Sequence, residues 1–387
     1  MKIILLDPGL KNIQGHNYTT DLHLAKYFKK NKINVEILCL KSIDKETEEN
    51  FLKNKIKVKK VFDVSSYSDL PYKNEATLIK YIQITINNLE LYRKNNSPPD
   101  IAYWVPSNSP LQVFANLFLK VAKLTFIQLD PTFESFSDNT LYMYKKFNEK
   151  FKQRKDLVYL AVEKNIKEIF SRFIPVEIEI SPFLTTSKHK KKKDKFLKKI
   201  GVFGLNKIIN ENFSKDFLEL LRKINLKFEF HDPQEILKPQ KQTENINYKL
   251  NKSLKASNFS FFNFNENLNN KIASFDSVLY FSNPIYYQLI PSGIVSETIA
   301  TGRPIILPKA NNPANSVEEK KCGYFFQWND AESLKISIKN LIENYQNIYH
   351  RSIIASNKWH ESEGINKSCK FILNKFNRIV IDKELFL

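Results

Sequence analysis

The sequence predicts an α/β protein made of two doubly wound domains, each a parallel sheet with helices on both faces. Short apolar runs alternate with stretches that repeat apolar residues at helical spacing, as parallel strands joined by crossover helices do. The alternation starts at the first residues, is interrupted by a lysine-rich run near the middle, and then starts again. A chain of 387 residues is also too long for one ordinary domain. We therefore expect two domains with a cleft between them.

The first domain is predicted over 1–186. Its strand patterns are short and apolar, and they lie at 2–7, 35–40, 57–62, 101–105, 124–129, 157–162 and 176–180. Helical patterns separate these strands, at 19–30, 75–94, 111–123 and 163–173. The first strand, KIILLD, is apolar except at its two ends, which indicates burial on both faces of the sheet. Together these elements predict a Rossmann-like domain.

A dense charge run follows the first domain. Lys188 and the four lysines at 190–193 repel one another and stay solvated, so the stretch 187–199 is predicted to be a linker. A second Rossmann-like domain is predicted over 200–356, with strands at 200–203, 227–231, 277–281 and 304–307 and helices at 214–224, 293–301 and 331–345. The tail at 357–387 is predicted to form a helix that packs back on the first domain.

The charge of the chain points away from sequence-specific nucleic-acid binding. The formal net charge is +19, from 60 basic and 41 acidic residues, but only seven of the basic residues are arginine. Lysine is a solvated point charge, whereas arginine forms the bidentate fork that reads phosphates and base edges. The composition therefore favours diffuse attraction to anionic lipid or anionic substrates over nucleic-acid recognition.

Cysteine usage and apolar runs predict a cytoplasmic location. Cys39, Cys322 and Cys369 are far apart and form no CxxC pair, which is typical of reduced thiols without structural zinc. The N-terminal apolar run is too short for a signal peptide, and no stretch reaches the about 20 apolar residues of a membrane span. The sequence also lacks the P-loop, zincin and α/β-hydrolase motifs.

The most informative segment is 286–308, YYQLIPSGIVSETIATGRPIILP. A polar turn ending in Ser292 and Gly293 opens a predicted helix at 294–300, and Gly302 is placed to end that helix. The first N–H groups of such a helix attract an anion, and Glu297, one turn in, can accept hydrogen bonds from a diol such as a ribose. The structural alternative is an ordinary helix with a serine cap and a glutamate that interacts with the helix dipole.

SGIVSETIATGRPIILP resembles the nucleotide-binding signature of GT-B glycosyltransferases, specifically of the retaining enzymes related to glycosyltransferase family four. The downstream stretch CGYFFQWNDAESLKISIKNLI is similar to the same family. The resemblance implies that Ser292, Gly293 and Ile294 hold the donor pyrophosphate and that Glu297 binds the ribose hydroxyls. It also implies that the second domain is the donor side and the first domain the acceptor side.

Two further segments are assigned by the same resemblance. In GT-B enzymes the loop after the first strand faces the donor phosphates, and here that loop contains Gly15, His16 and Asn17. His16 is the candidate catalytic residue, because a histidine near its ordinary pKa can take part in proton transfer; a merely solvated loop histidine is the alternative. The strand in IGVFGLNK ends at Gly204, and Lys207 corresponds to a basic position that contacts the donor phosphates in the family.

The resemblance implies a metal-independent, retaining, hexosyltransferase-like enzyme of glycan biosynthesis. Its co-substrate would be a nucleotide-sugar, with no other cofactor, and its acceptor a glycan or a lipid-linked glycan. One position departs from the family: Leu289 stands where a second acidic residue usually binds the donor sugar. An epimerase of the same fold, or a GT-B scaffold that binds without turnover, therefore stays an alternative. The lysine run at 188–193 adds the expectation of peripheral contact with anionic membrane on its cytoplasmic side.

Overall fold

The computed structural model describes residues 1–13, 16–66, 68, 70–105, 110–129, 131, 133–187, 196–204, 211–231, 256–262, 268–285 and 287–384. The chain divides into two compact units. The first contains residues 1–184 together with 363–387, and the second contains residues 185–362. The predicted boundaries at 186 and 356 fall within six residues of these divisions.

The first unit contains a seven-stranded sheet in the order β3-β2-β1-β4-β5-β6-β7, and every neighbouring pair is parallel. The strands are β1 (Lys2–Asp7), β2 (Asn34–Leu40), β3 (Lys57–Phe62), β4 (Ile101–Trp104), β5 (Leu124–Gln128), β6 (Leu157–Ala161) and β7 (Ile178–Ile180). The helices in the first part of this unit are α1 (His16–Lys30), α2 (Lys45–Lys53), α3 (Glu75–Lys94), α4 (Pro110–Phe118), α5 (Asp138–Lys146), α6 (Asn148–Gln153) and α7 (Lys164–Phe170).

The apolar residues of β1 build both cores of the first unit. Ile4 and Leu6 join the cluster on one face of the sheet, and Ile3 and Leu5 join the cluster on the other. Side chains alternate between the two faces of a strand, so an apolar residue at each position is what a strand covered on both faces requires. This explains why KIILLD carries no alternation of apolar and polar residues.

The second unit contains a six-stranded parallel sheet in the order β10-β9-β8-β11-β12-β13. The strands are β8 (Lys199–Phe203), β9 (Lys227–His231), β10 (Phe259–Phe262), β11 (Ser277–Tyr280), β12 (Ile305–Pro308) and β13 (Gly323–Phe326). The helices are α8 (Glu211–Lys223), α9 (Leu268–Ser274), α10 (Gly293–Thr301), α11 (Asn312–Glu319), α12 (Ala331–Glu343) and α13 (Tyr345–Ser362). The predicted fold class, two doubly wound α/β domains, is confirmed.

The tail forms two helices rather than the one predicted over 357–387. The first, α13, ends at Ser362, and α14 (Ile365–Glu384) begins after Gly364, which adopts a left-handed conformation (φ 99°). A residue in that conformation ends an α-helix, and glycine adopts it at the lowest cost. Apolar residues of α14, including Cys369 and Ile372, are buried in the core of the first unit that also contains Phe28 of α1.

Candidate functional site

The segment that the sequence singles out lies in the second unit, at the start of α10. Ser292 is the N-cap with an extended backbone (φ −113°, ψ 121°), and its side chain makes no capping hydrogen bond to any described residue. Gly302 ends the helix in the left-handed conformation (φ 71°), as the sequence predicts. The first N–H groups of a helix have no partner within the helix and carry its positive dipole end. This helix end therefore has the electrostatic character of an anion site.

Gly293 leaves open space at this helix end. The residue is exposed, and a Cβ added to it would meet no described atom within 4 Å. Ser292 and Val295 on either side are buried, so the helix end is anchored in the domain while its tip stays accessible. The absence of a side chain at 293 is thus not required by packing among the described residues. It permits close approach of another molecule to the main chain.

Glu297 is held by the chain itself. Its Oε1 accepts hydrogen bonds from the Thr186 amide at 2.9 Å and the Thr186 hydroxyl at 3.4 Å, and its Oε2 accepts one from the Ser187 amide at 3.0 Å. Burial raises the pKa of Glu297, although these hydrogen bonds act in the opposite direction. Each carboxylate oxygen therefore already has a backbone partner. Ribose binding by Glu297 stays a prediction, and it would require both oxygens to accept further bonds or to exchange partners.

Gly204 lies where the strand order of the second unit reverses. It follows β8, which pairs with β9 on one side and β11 on the other. Gly204 is left-handed (φ 79°), and a Cβ there would lie 2.5 Å from the backbone oxygen of Phe281. Only glycine fits this close approach of two chain segments. Open α/β sheets bind ligands beyond the carboxyl ends of their strands at such a switch point.

Two polar residues beyond the same sheet edge were not anticipated from the sequence. Asn311 follows β12 and donates a hydrogen bond from Nδ2 to the Ser282 hydroxyl at 2.9 Å. Its Oδ1 accepts from the Ala314 amide at 2.8 Å, which makes it the N-cap of α11. The signal was present in the sequence NNPAN, because an asparagine two residues before a proline that fits the first helical turn marks a helix start.

Leu289 lies between β11 and α10 and is partly buried. Its backbone oxygen accepts a hydrogen bond from Asn312 Nδ2 at 3.3 Å. An apolar side chain at this position offers no hydrogen-bond acceptor for a sugar hydroxyl.

In the first unit, Asn17 lies in the first turn of α1 and is buried. Its side-chain Nδ2 donates to Asp7 Oδ1 at 3.0 Å and to Asp7 Oδ2 at 2.9 Å. Asp7 Oδ1 also accepts from the Gly9 amide at 2.7 Å. Burial raises the pKa of Asp7 to about 6, against the opposing effect of these hydrogen bonds. The structure thus directs the Asn17 amide nitrogen to Asp7, and a contact of Asn17 with donor phosphate stays a prediction.

Several predicted positions fall beyond what the structure describes. Gly15 and Lys207 lie outside the described residues, as does the lysine run at 188–193. The backbone places His16 at the first position of α1, and its side chain is outside the described part. These assignments stay predictions. Within the described ranges, no group of three or more His, Cys, Asp or Glu side chains is arranged to hold a metal ion.

The described helices also bear on membrane contact. None of them combines the length with the apolar character that a bilayer-spanning segment needs.

Comparison with known proteins gives matches at the level of structure. No protein-family model matches the chain, and no curated protein matches it by sequence. Sucrose-phosphate synthase from Thermosynechococcus elongatus is similar over 99% of this chain and 100% of its own, with a TM-score of 0.67 and 11% identity. HepE from Anabaena, solved in complex with UDP-glucose, is similar over 98% and 100%, with a TM-score of 0.64 and 14% identity.

A glycosyltransferase from Rickettsia africae is similar over 98% of both chains, with a TM-score of 0.63 and 13% identity. All three of these neighbours are GT-B glycosyltransferases. The chain has the GT-B fold. Because the matches extend over nearly the whole length of both partners, the likeness covers both units of the GT-B chain. At 11–14% identity, the likeness establishes the fold.

Proposed function

We propose that the chain is a glycosyltransferase that takes its sugar from a nucleotide-sugar donor. The observation that carries the proposal is the start of α10, where Gly293 leaves accessible space in front of the helix amides. A diphosphate matches this end in charge and in its need for N–H donors. The GT-B fold, and one neighbour of that fold with UDP-glucose bound, support the choice of a nucleotide-sugar among anionic ligands.

The proposed chemistry follows from the same helix end. When the bond between sugar and nucleotide breaks, negative charge grows on the diphosphate that leaves. Preorganised N–H groups and a helix dipole stabilise charge that develops at a fixed position. We propose that the Ser292, Gly293 and Ile294 amides perform this role and that Lys207 and Gly15 assist. A metal ion is not needed where the protein itself supplies this stabilisation.

The finer assignments are proposals of the same kind. We propose that transfer proceeds with retention of configuration, that a hexose is transferred, and that the acceptor is a glycan or a lipid-linked glycan. His16 is the candidate for proton transfer, Gly204 for close approach of the donor, and Glu297 for the ribose. For a lipid-linked acceptor, we propose that the lysine run at 188–193 attracts the protein to anionic membrane. If the protein does not co-sediment with anionic vesicles at low salt, this membrane contact is ruled out.

A matched pair of variants at Gly293 tests the donor site. An aspartate at 293 places a negative charge at a helix N-terminus, which stabilises the helix by about 0.3–1 kcal/mol. The same charge repels a diphosphate, so we expect Gly293→Asp to bind uridine, thymidine, guanosine or adenosine diphosphate at least about ten-fold more weakly, a loss of about 1.4 kcal/mol. Gly293→Asn introduces a side chain of the same size without the charge, so the difference between the two variants isolates the charge repulsion.

Isothermal titration calorimetry with each of the four diphosphates measures these affinities. Retained binding in Gly293→Asp would move the donor site away from α10, and no binding by the wild-type chain would overturn the proposed function. Turnover then separates the transferase from its rivals. An epimerase alters the nucleotide-sugar when it is incubated with that donor alone. A non-catalytic scaffold forms no product from the donor, whether acceptors are added or not.

A further inference from the structure

A buried group of three polar side chains joins β1 to α1. Asp7 is the last residue of β1, and Asn17 and Asp21 lie one turn apart on α1. Both carboxyl groups are fully buried, and Asn17 is 6% exposed. Asn17 Nδ2 donates to both oxygens of Asp7, at 3.0 Å and 2.9 Å. Side-chain hydrogen bonds therefore connect the first turn of α1 to the end of β1, in addition to the main chain that joins them.

The second carboxyl group needs a proton. Neither oxygen of Asp21 has an N–H or O–H donor among the described residues, and the Asp7 and Asp21 carboxyl groups lie within hydrogen-bonding reach of each other. Two buried carboxylates at this distance cannot both be ionised at low cost, so one keeps a proton and shares it. Burial and the Asp7 charge raise the pKa of Asp21 well above its usual range. The Asp21 hydroxyl thus donates to Asp7.

Among the described residues, no positively charged group acts on the pKa of Asp7 or Asp21. Cys39 faces the pair from β2 and Tyr103 from β4. Burial raises the pKa of both groups, so both are neutral near pH 7. Cys369 of α14 faces Tyr103 in turn, and burial raises its pKa as well. Asp7 accepts hydrogen bonds from the Asn17 side chain, from the Gly9 amide and from Asp21.

We propose that Asn17 is a positioning residue: with Asp7 and Asp21 it forms a buried clamp that fixes where α1 begins. The clamp fixes the first turn of α1, next to the stretch that the proposed function assigns to the donor phosphates and to proton transfer. The inference rests on the proposed function for this last step. It assigns Asn17 to the folded chain rather than to direct contact with phosphate.

Exchanging the two partners separates positioning from phosphate binding. Asn17→Asp alone brings three carboxyl groups together. Asp7→Asn alone replaces one of the two oxygens that accept from Asn17 Nδ2 with an NH₂ group, which cannot accept. The double variant Asp7→Asn with Asn17→Asp restores one amide and one carboxylate with their places exchanged, and the amide oxygen introduced at position 7 can still accept from the Gly9 amide. A carboxylate at 17 repels a phosphate, so only a positioning role predicts that the double variant recovers binding.

Affinity for uridine, thymidine, guanosine and adenosine diphosphate is measured by calorimetry, and thermal stability by differential scanning. We expect each single variant to bind about ten-fold more weakly or worse, since a hydrogen bond to a charged ligand that is lost when the first turn shifts costs about that much in affinity. The double variant is expected to regain most of the lost affinity and of the lost melting temperature. Asn74→Ala is the control, because Asn74 caps α3 in the same unit without touching the clamp.

The outcomes are distinct. Single variants that bind as the wild type does overturn the positioning role, and so does a double variant that regains stability while its binding stays lost, since Asn17 then contacts the ligand. A double variant that regains neither overturns the clamp. If the wild-type chain binds none of the four diphosphates, the proposed function fails. Recovery of stability in the double variant then still supports the clamp between β1 and α1, and its absence overturns that too.

Discussion

Replacing Glu297 with alanine asks whether its carboxylate serves the chain, the donor or both. The carboxylate accepts from the Thr186 amide at 2.9 Å and from the Ser187 amide at 3.0 Å. Truncation leaves both amides without an acceptor, and a buried donor that loses its partner costs about 1–3 kcal/mol. The sum for two amides is about 2–6 kcal/mol. Thr186 is partly exposed, so water replaces part of what is lost there.

A second effect also reduces the loss. Burial raises the pKa of Glu297, so the ionised carboxylate is less favourable in the folded chain than in water. Removing it relieves that cost. We therefore expect Glu297→Ala to lower the free energy of unfolding of the second unit by about 2–3 kcal/mol, the lower part of the range. Glu297→Gln keeps one acceptor oxygen and should lose about half as much.

Urea denaturation followed by circular dichroism measures the loss, with each transition fitted separately because the chain has two units. Glu332→Ala is the matched control. Glu332 lies in the first turn of α12 and pairs with Lys335 at 3.0 Å on the surface, so its removal should change stability by less than about 0.5 kcal/mol. If Glu297→Ala unfolds like this control, the contact with 186–187 contributes nothing, and the reasoning fails.

The same variants decide the ligand role. A carboxylate that serves both the chain and the ribose predicts weaker diphosphate binding in Glu297→Ala together with the loss of stability. Weaker binding without a loss of stability would assign Glu297 to the donor alone. Unchanged binding with a loss of stability would assign it to the chain alone.

Two other predictions follow from buried groups. Gly204→Ala should lower the free energy of unfolding by about 1–3 kcal/mol, measured by urea titration. A non-glycine residue is strained in the left-handed conformation, and its Cβ would lie 2.5 Å from the Phe281 backbone oxygen. Unchanged stability would contradict this prediction. Raised pKa values of Asp7 (about 6) and Asp21 mean that the folded chain holds protons which the unfolded chain releases near pH 4, so the contribution of this pair to stability should fall as the pH rises from about 4 through 6. Asp21→Asn should flatten this decline, and an equally steep decline in that variant would show that Asp21 holds no proton.

The sequence predicted the strands of the first sheet more closely than it predicted the helices around them. A parallel strand buried on both faces leaves an apolar run such as 2–7, and the structure has β1 at those residues. The helix α2, with the sequence KETEENFLK, was not predicted, because only Thr47 and Phe51 of it are buried and it shows almost no apolar repeat. Its capping aspartate, Asp44, accepts from the Thr47 amide at 2.7 Å and was the signal available.

The site was less predictable than the fold, for a physical reason. A motif assigns residue types to positions, but hydrogen-bond partners depend on segments far away in sequence. Glu297 meets residues more than a hundred positions earlier, at 186 and 187. Asn17 meets Asp7 only because β1 and α1 bring the two together, and Asp21 joins them from the next helical turn. No pattern within the segment 286–308 or the loop before α1 contains that information.

These contacts give the main chain the larger part in the proposed donor site. The side chains of Glu297 and Asn17 have partners within the protein, whereas a Cβ at Gly293 would meet no atom of the described residues within 4 Å. Recognition through backbone amides requires a helix end and a missing Cβ, and it places little demand on other side chains. A chain with Leu289 in place of an acidic residue can therefore keep the diphosphate while its contacts to the sugar differ. The proposal therefore assigns the diphosphate to the helix end and leaves recognition of the sugar to other residues.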